Sequence, residues 1–351
     1  MDKTDSLLAQ VQVATDAQQS LLIQGGNSKA FYGNPVTGET LSLQGHSGIL
    51  DYDPAELVIT ARSGTPLKEI EHILADNNQM LAFEPPGFGD EATIGGTIAC
   101  GFSGARRPYA GAARDFMLGC KLINGNAELL SFGGQVMKNV AGYDVSRLMT
   151  GALGTLGVLL EVSLKVLPVT EKEITLRKES SVDGALAMIN RLAGQAFPIS
   201  AASYYDGHLY VRLSGTESAV KNAEQSLGGE RINDNTSFWS SINNHQHRFF
   251  KPGKPLWRVS VAADSPLLGI ENDVLLDWGG AQRWIYTDAD AQTIRQLVAK
   301  QGGHATCFRN AHKGVSVFHP LPAKLKQLHL NLKSAFDPRG IFNYEKVYEE
   351  I

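Results

Sequence analysis

Three glycine-rich stretches interrupt the first half of the chain and restrict how that half can fold. The chain has 36 glycines, and most of them lie in clusters between residues 25 and 157. The clusters follow no regular period, which excludes a collagen-like or solenoid repeat. Glycine lets a backbone approach a neighbour or a ligand closely. We therefore predict that several backbone segments of this half lie close to one another or to a ligand.

The first stretch, IQGGNSK at residues 23–29, follows an apolar run that is typical of a strand. Consecutive backbone N–H groups in a Gly-Gly turn can form a concave site for an anion. Ser28 adds a hydroxyl donor and Lys29 adds a positive charge. A surface turn would use the same residue types, so the loop alone leaves both interpretations open.

The other two stretches have small residues at most positions. The second covers residues 92–104 and is followed by Arg106 and Arg107, while the third covers residues 150–158. Small residues also serve close packing between elements, which is the alternative interpretation. Three such stretches in one half of the chain favour an elongated anionic ligand.

Two common nucleotide-binding motifs do not account for these glycines. The chain has no GxxxxGK[ST] string, which excludes a phosphate loop of the ATPase type. A GxGxxA string occurs at residues 87–92, but it follows Glu84-Pro85-Pro86. The strand that a dinucleotide-binding fold requires just before this motif is therefore missing.

Charge and composition exclude several further classes. The net charge of −4 gives no support to nucleic-acid binding. No apolar run approaches the length that spans a bilayer, and the polar N-terminal segment resembles neither a signal nor a transit peptide. The scattered cysteines Cys100, Cys120 and Cys307 indicate reduced thiols, so we expect a cytoplasmic protein without a transmembrane segment.

The hydrophobic pattern predicts an α+β protein of two domains with a boundary near residue 170. In the first half, strands are predicted at residues 21–24, 40–44, 49–52, 57–61, 80–83, 115–123, 128–132 and 158–166, with helices at 6–19 and 65–77 and a helix or turn at 93–100. In the second half, strands are predicted at 174–178, 200–205, 209–213, 256–261, 283–287 and 304–309, with helices near 183–194, 216–227, 289–301 and 321–335.

The order of these pieces resembles the flavin-binding domain of the vanillyl-alcohol oxidase / para-cresol methylhydroxylase superfamily. The resemblance rests on IQGGNSK, on LDYDPAELVITARSGTPLKEIEHIL, on ATIGGTIA, on GALGTLGVLLEVSLKVLP and on a C-terminal FDPRGIFN. The string KNVAGYD at residues 138–144, with Arg147-Leu148 behind it, is similar to the FAD-binding subunits of glycolate oxidases. These subunits are oxidoreductases that act on the CH–OH group of 2-hydroxy acids.

The resemblance implies a two-part FAD-binding domain of the para-cresol methylhydroxylase type at residues 1–170. It implies a smaller α+β sheet domain at 171–335, serving as a substrate, cap or partner domain, and a tail at 336–351 that returns to the flavin. Cofactor contacts are implied at Gly25, Gly26, Asn27, Ser28, Lys29, Pro86, Thr93, Ile94, Gly95, Gly96, Gly101, Ser103, Gly104, Arg106, Gly157, Val158 and Asn343.

Two positions depart from the pattern of the relatives. Some relatives attach FAD covalently through a histidine in the glycine loop, whereas this chain has Asn27-Ser28 there, so we predict non-covalent FAD. Many hydroxyacid-oxidising relatives carry GxEGTLG in the third stretch, whereas Leu153 replaces the acidic residue here.

Oxidation of a 2-hydroxy acid needs a cation for the carboxylate and a base for the hydroxyl proton. An arginine suits the first role because its guanidinium pairs with both carboxylate oxygens, and Arg258 and Arg309 are the candidates. His304 is the candidate base, ahead of His312 and His319. His245-x-His247 has the form of a metal motif, but no third ligand has suitable spacing, so we expect no metal.

The resemblance also implies partner proteins, because this chain has no cluster-binding cysteine pattern of its own. We expect a sister flavin subunit, an iron–sulfur subunit that takes the electrons onward, and a membrane association of the complex that is at most peripheral. One alternative is a flavin subunit that relays electrons while the sister subunit oxidises the substrate. Another is an NADPH-dependent flavin reductase of the cell-wall precursor type, against which KNVAGYD argues.

Overall fold

The computed structural model describes residues 1–134, 143–251, 253–349 and 351. KNVAGYD therefore lies mostly outside the described residues. The described helices are α1 (Thr4–Ala17), α2 (Leu67–Asp76), α3 (Ile94–Cys100), α4 (Arg107–Ala110), α5 (Val145–Met149), α6 (Val182–Ala193), α7 (Glu217–Leu227), α8 (Asn235–Asn243), α9 (Ala291–Lys300) and α10 (Ala323–Phe336), with single 3₁₀ turns at Ala113–Phe116 and Trp278–Gly280.

The strands occupy both halves of the chain. In order they are β1 (Leu21–Gln24), β2 (Glu39–Ser42), β3 (Ile49–Asp53), β4 (Val58–Arg62), β5 (Gln79–Met80), β6 (Met117–Ile123), β7 (Leu129–Gly133), β8 (Val158–Lys165), β9 (Leu167–Pro168), β10 (Lys172–Glu179), β11 (Ile199–Tyr205), β12 (His208–Gly215), β13 (Glu230–Arg231), β14 (Leu256–Ser260), β15 (Asp273–Asp277), β16 (Gln282–Tyr286) and β17 (His304–Arg309).

The chain divides into two compact units. The first unit comprises residues 1–103, 111–168 and 320–351, and the second comprises residues 104–110 and 169–319. The mixture of helices and sheets confirms the α+β prediction. The sequence division assigned α10 to the second domain, whereas α10 packs in the first unit because Lys333 donates to the backbone oxygens of Thr155 and Phe342.

The first unit contains three small sheets. Strands β1 and β2 form a parallel pair, β5 and β9 form an antiparallel pair, and a five-stranded antiparallel sheet has the order β3-β4-β8-β6-β7. Its central strand β8 reads VLLEVSLK and is buried along nearly its whole length, as expected for a strand between two neighbours. This strand carries the C-terminal end of the third glycine stretch into the core.

Both ends of the chain meet in the first unit. Leu21 donates to Ile341 O at 2.7 Å, and Asn343 donates to Leu21 O at 3.1 Å. A common hydrophobic core joins Leu7 and Val11 of α1 to Ile341 and Phe342. The C-terminal segment therefore lies alongside β1, at the edge from which the first glycine stretch departs.

The second unit is built on one antiparallel sheet of eight strands in the order β13-β10-β12-β11-β15-β16-β14-β17. One hydrophobic cluster packs α6 and α7 against β10 to β12, and a second packs α9 against β14, β16 and β17. Helices α6, α7 and α9 each begin at a Ser, Thr or Asp whose side chain accepts a backbone N–H, which is the preferred N-cap chemistry.

Several elements differ from the sequence-based predictions. The strand predicted at residues 80–83 is limited to Gln79–Met80, because a turn closes at Glu84, which has φ 48° and donates its N–H to Leu81 O. The elements that were not predicted are α4, α5, α8, β9, β13 and β15. All of them except α8 have five residues or fewer, and α8 has polar residues at six of its nine positions, so their periodicity was weak.

Candidate functional site

The three glycine stretches and the C-terminal tail converge on one cavity of about 310 Å³ in the first unit. The first stretch lines the cavity from Gln24 to Ala30, the second contributes Thr93 and Gly96, and the third contributes Leu153. Asn343 and Lys346 line it from the tail. A smaller cavity of about 60 Å³ lies between the second and third stretches and shares several of these residues.

The first stretch presents a row of unsatisfied backbone donors. The N–H groups of Gly25, Gly26, Asn27 and Ser28 donate to no acceptor in the part of the chain that the structure describes. Asn27 has a positive φ of 60°, and the turn is closed by Ala30 N–H to Asn27 O at 3.1 Å. Consecutive unpaired N–H groups around a left-handed residue form the kind of concave site that binds phosphate.

The glycines of the first stretch are also required by packing. A Cβ on Gly26 would lie 1.3 Å from Glu91 O, and a Cβ on Gly25 would lie 2.3 Å from Thr93 Oγ1. A side chain at either position would therefore collide with the segment at residues 91–93. The close-packing interpretation therefore holds for Gly25 and Gly26, and the loop lines the cavity as well. Its contact with a ligand stays a prediction.

The second stretch forms α3, which is a short helix with its N-terminus at the cavity. Thr93 caps it by accepting the Gly96 N–H at 3.2 Å. A Cβ on Gly95 would lie 2.4 Å from Ser63 Cβ, so this glycine lets α3 lie against the end of β4. Thr93 and Gly96 line the larger cavity, and Gly95 and Gly96 line the smaller one.

The third stretch is tied to the C-terminal end of α3. Gly151 donates to Ile98 O at 3.0 Å, and Leu153 donates to Ala99 O at 2.8 Å. Leu153 has a positive φ of 53°, and it lines both cavities with its apolar side chain. Gly157 lines the smaller cavity, whereas Val158 is fully buried in β8.

Asn343 joins the first and third stretches. Its Oδ1 accepts the Ile23 N–H at 2.9 Å, and its Nδ2 donates to Leu153 O at 2.7 Å. A Cβ on Gly154 would lie 2.8 Å from Asn343 Nδ2, so a glycine is needed for this approach. The amide side chain, with one donor and one acceptor, suits both of these contacts at once.

Lys29 brings a buried positive charge to the cavity. Its ammonium donates to Gly87 O at 3.2 Å and to Ser28 Oγ at 3.4 Å. Burial lowers the pKa of Lys29, because a charged group loses hydration there. Among the described residues, no carboxylate lines the larger cavity. Open N–H groups, a hydroxyl and a cation without a carboxylate fit the diphosphate of a dinucleotide.

Seven of the residues implied as cofactor contacts do not line either cavity, and Val158, buried in β8, is one of them. Pro86 and Ile94 are buried, Gly101 ends α3 with φ 65°, and Ser103 Oγ accepts the Ala113 N–H at 3.0 Å. Gly104 and Arg106 belong to the second unit. The Arg106 guanidinium lies 2.6 Å from the Glu173 carboxylate there. A cofactor contact of these residues stays a prediction.

The sequence reasoning missed several residues that line the larger cavity. They are Tyr32, Pro35, Val36 and Lys346. Tyr32 is packed edge-on against Phe102, with ring centroids 4.7 Å apart. Lys346 lies three residues beyond Asn343 in the tail, so the resemblance around FDPRGIFN was the available signal for it.

The candidate catalytic residues lie on two adjacent strands of the second unit. Arg258 of β14 is opposite Thr306, and His304 of β17 is opposite Ser260, so both side chains lie on the same face. The Arg258 guanidinium is 5.4 Å from the centre of the Phe308 ring. Arg309 is opposite Leu256, beyond a register shift, and burial lowers the pKa of its guanidinium.

The histidine pair that has the form of a metal motif is divided between two environments. The His245 ring stacks on Phe250 at 3.9 Å, whereas the His247 ring contacts Tyr205 edge-on at 5.0 Å. Burial, and then the charge of Arg309, lowers the pKa of His245 well below its usual range. Among the described residues, no three His, Cys, Asp or Glu side chains come close enough to hold a metal ion.

Comparison with known families identifies the first part of the chain. A family model described as "FAD binding domain" matches residues 1–133. The glycolate oxidase subunit GlcE of Escherichia coli (strain K12) is 47% identical over 350 residues, which cover 100% of this chain and 99% of that protein. The glycolate oxidase subunit GlcD of Bacillus subtilis (strain 168) is 30% identical over 176 residues, covering 49% of this chain and 37% of that protein.

The fold is found in solved structures as well. A structure of alkyldihydroxyacetonephosphate synthase superposes with a TM-score of 0.68 over 97% of this chain and 74% of that chain, at 14% identity. At this identity the likeness concerns the fold alone. The para-cresol methylhydroxylase-type fold and the FAD cofactor that the sequence predicted are confirmed.

Across the described residues, none of the helices is both long and apolar enough to cross a membrane.

Proposed function

The chain belongs to the family of the glycolate oxidase subunit GlcE, and on that ground we propose that it is the FAD-binding subunit of a complex that oxidises glycolate to glyoxylate. The observation that carries the proposal is the cavity of the first unit, whose wall combines free N–H donors with a buried Lys29 in a chain 47% identical to GlcE over its full length.

The cofactor site follows from the residues that line the cavity. The N–H groups of residues 25–28 and the Lys29 ammonium hold the diphosphate, and the backbone around Leu153 borders the rest of the dinucleotide. When bound, FAD accepts the two electrons that oxidation of the hydroxyl group releases. Asn343 joins the first and third stretches by a hydrogen bond to each, beside the proposed cofactor site.

The residues that we propose for the substrate are in the second unit. Arg258 pairs with the substrate carboxylate, and His304 on the same face accepts the proton of the hydroxyl group. Arg309 is the second candidate for the carboxylate. The complex further includes a sister flavin subunit and an iron–sulfur subunit that receives the electrons. It is located in the cytoplasm, at most peripherally attached to the inner membrane face through its partners.

One observation favours a second candidate function. The residues that line the two described cavities include no histidine and no carboxylate, and Leu153 occupies the position at which many relatives have an acidic residue. In this alternative the chain carries FAD as an electron relay, while the sister flavin subunit oxidises glycolate.

An anaerobic titration separates the two functions. Glycolate is added to the isolated FAD-loaded chain, and the flavin absorbance near 450 nm is followed. Loss of the absorbance supports direct oxidation, whereas loss that requires the partner subunits supports the relay. Absorbance that persists even in the assembled complex contradicts both. Bleaching by NADPH would instead support a reductase.

Variants test the two proposed substrate residues in the same titration. Arg258→Met and His304→Gln should slow the bleaching if the isolated chain oxidises glycolate. Arg191→Met is the matched control, because Arg191 is exposed on α6 and should leave the rate unchanged. Equal rates in all four proteins would remove Arg258 and His304 from the proposal.

A further inference from the structure

The cavity of the first unit is lined by a second cation, which comes from the C-terminal tail. Lys346 lines the cavity together with Lys29, and the described residues of the lining include no aspartate or glutamate. The chain as a whole has a net charge of −4. Two lysines without a carboxylate therefore make this wall positive within a chain of opposite net charge.

The backbone of Lys346 is fixed by residues that follow the first glycine stretch. Asn34 donates its backbone N–H to Lys346 O at 2.8 Å, and its side-chain Nδ2 donates to Glu345 O at 2.9 Å. Lys346 in turn donates its N–H to Asn343 O at 3.0 Å. The tail is thus bonded at two consecutive residues to the segment that follows the donor-rich loop.

The aliphatic stem of Lys346 passes close to Gly33. A Cβ on Gly33 would lie 3.0 Å from Lys346 Cε and 2.8 Å from Lys346 O, and the φ of Gly33 is 84°. A larger residue at this position would displace the stem. Gly33 therefore provides the room that the side chain needs to reach the cavity wall.

The ammonium of Lys346 has no partner in the described part of the chain. No hydrogen bond or ion pair joins its Nζ to a described residue, and burial lowers the pKa of Lys346. The carboxyl group of Glu71 lies within electrostatic reach of Lys29. A half-buried cation without a counter-charge is unfavourable, and an anionic ligand would offset this cost.

We propose that Lys346 is a second phosphate-binding residue, which contacts the diphosphate of FAD in addition to the donor-rich loop. This inference depends on the cofactor assignment in the proposed function. It means that the tail binds the cofactor directly, in addition to the support that Asn343 gives to the loop.

The test measures the affinity of the apoprotein for FAD, FMN, riboflavin and ADP by calorimetry at low and high salt. Lys346→Met keeps most of the stem and removes the charge, so it should weaken the binding of FAD and ADP about tenfold or more, as expected for a charged hydrogen bond. Riboflavin binding should not change, since riboflavin has no phosphate. The salt dependence of FAD binding should also decrease.

Two further variants keep the test decisive. Lys346→Arg restores the charge and should recover most of the affinity, while Lys324→Met removes an exposed charge on α10 and should have no effect. Unchanged FAD affinity in Lys346→Met would overturn the inference, as would an equal loss for riboflavin, which would indicate a displaced loop. If the wild-type chain itself binds no FAD, the proposed function fails instead.

Discussion

Asn343 and Ile23, which are 320 residues apart, are joined by a hydrogen bond of 2.9 Å from the Ile23 N–H to Asn343 Oδ1. Asn343 Nδ2 donates at the same time to Leu153 O at 2.7 Å. The side chain is buried, with 5% of its surface exposed. The width of the cavity between the first and third glycine stretches therefore depends on one amide group.

Asn343→Asp should keep one of the two hydrogen bonds of this side chain and remove the other. The carboxylate can accept the Ile23 N–H but faces Leu153 O without a proton to donate, so we expect a loss of about 1–3 kcal/mol in the free energy of unfolding and weaker FAD binding. Urea denaturation measures the first effect. Asn78→Asp is the control, because Asn78 also has a positive φ but is exposed. Equal stability of the two variants would contradict this account.

Gly26→Asp should abolish FAD binding. A Cβ at this position would lie 1.3 Å from Glu91 O, so the loop must move, and the added carboxylate would repel a diphosphate. Gly134→Asp introduces the same group where no atom lies within 4 Å of the new Cβ, and it should retain FAD. The flavin content per chain after gel filtration checks both. Stoichiometric FAD in the Gly26→Asp variant would show that the loop does not hold the cofactor.

The cofactor should be released by acid. The loop has Asn27 and Ser28 where some relatives have a histidine that carries FAD covalently, and the described residues that line the cavity include no histidine. After precipitation of the holoprotein with trichloroacetic acid, the yellow colour should be in the supernatant. Flavin that stays in the pellet through washing would contradict the non-covalent prediction.

Cys100 should report on occupancy of the cavity. It lines the cavity and is partly exposed, whereas Cys120 and Cys307 are buried. Burial raises the pKa of the Cys100 thiol to about 11, so alkylation by iodoacetamide should be slow at pH 8 and faster at pH 9. FAD should slow it at either pH, as measured by peptide mass spectrometry. The same rate with and without FAD would place the cofactor elsewhere.

His46 should make the protein less stable in mild acid. Its ring is fully buried, with Nδ1 accepting the Lys3 N–H at 3.0 Å and Nε2 lying 3.2 Å from Leu160 O. This arrangement requires the neutral ring, and burial lowers its pKa in spite of Asp2 nearby. The unfolded chain therefore binds more protons than the folded chain as the pH falls below about 6.5, so stability decreases there.

The pH dependence of His46 can be isolated by substitution. His46→Gln should lower the melting temperature at pH 8, but it should reduce the further decrease between pH 6.5 and pH 5. His72→Gln, which replaces an exposed histidine of α2, should leave the wild-type slope in place. A His46→Gln slope equal to that of the wild type would assign the acid sensitivity to other groups.

The sequence predicted the open turn after β1 because local chemistry determines it. Adjacent glycines after a strand, followed by Ser28 and Lys29, favour a turn with exposed N–H groups, which can bind an anion. The helix at residues 94–100 was predicted as a helix or turn. Thr93, which precedes it, is one of the residue types preferred at a helix N-cap. These features depend on residues that are close in sequence.

Contacts between distant segments could not be predicted in this way. Nothing around Arg106 indicated that its guanidinium lies beside Glu173, where burial alone would raise the carboxyl pKa but Arg212 and Arg106 help to hold it below the usual range. Likewise, the place of Lys346 on the cavity wall follows from Asn34 and Gly33, which lie more than 300 residues earlier. Spacing along the chain carries no information about such pairs.

The pairing of Leu21 with Ile341 and Asn343 has a consequence for how the protein is made. A chain grows on the ribosome at about 5–20 residues per second. The first glycine stretch is therefore synthesised long before Ile341 and Asn343, which pair with the strand ahead of it. FAD must therefore bind after translation of the polypeptide is complete. A cell that runs short of flavin would then accumulate full-length chains without FAD, and not stalled nascent chains.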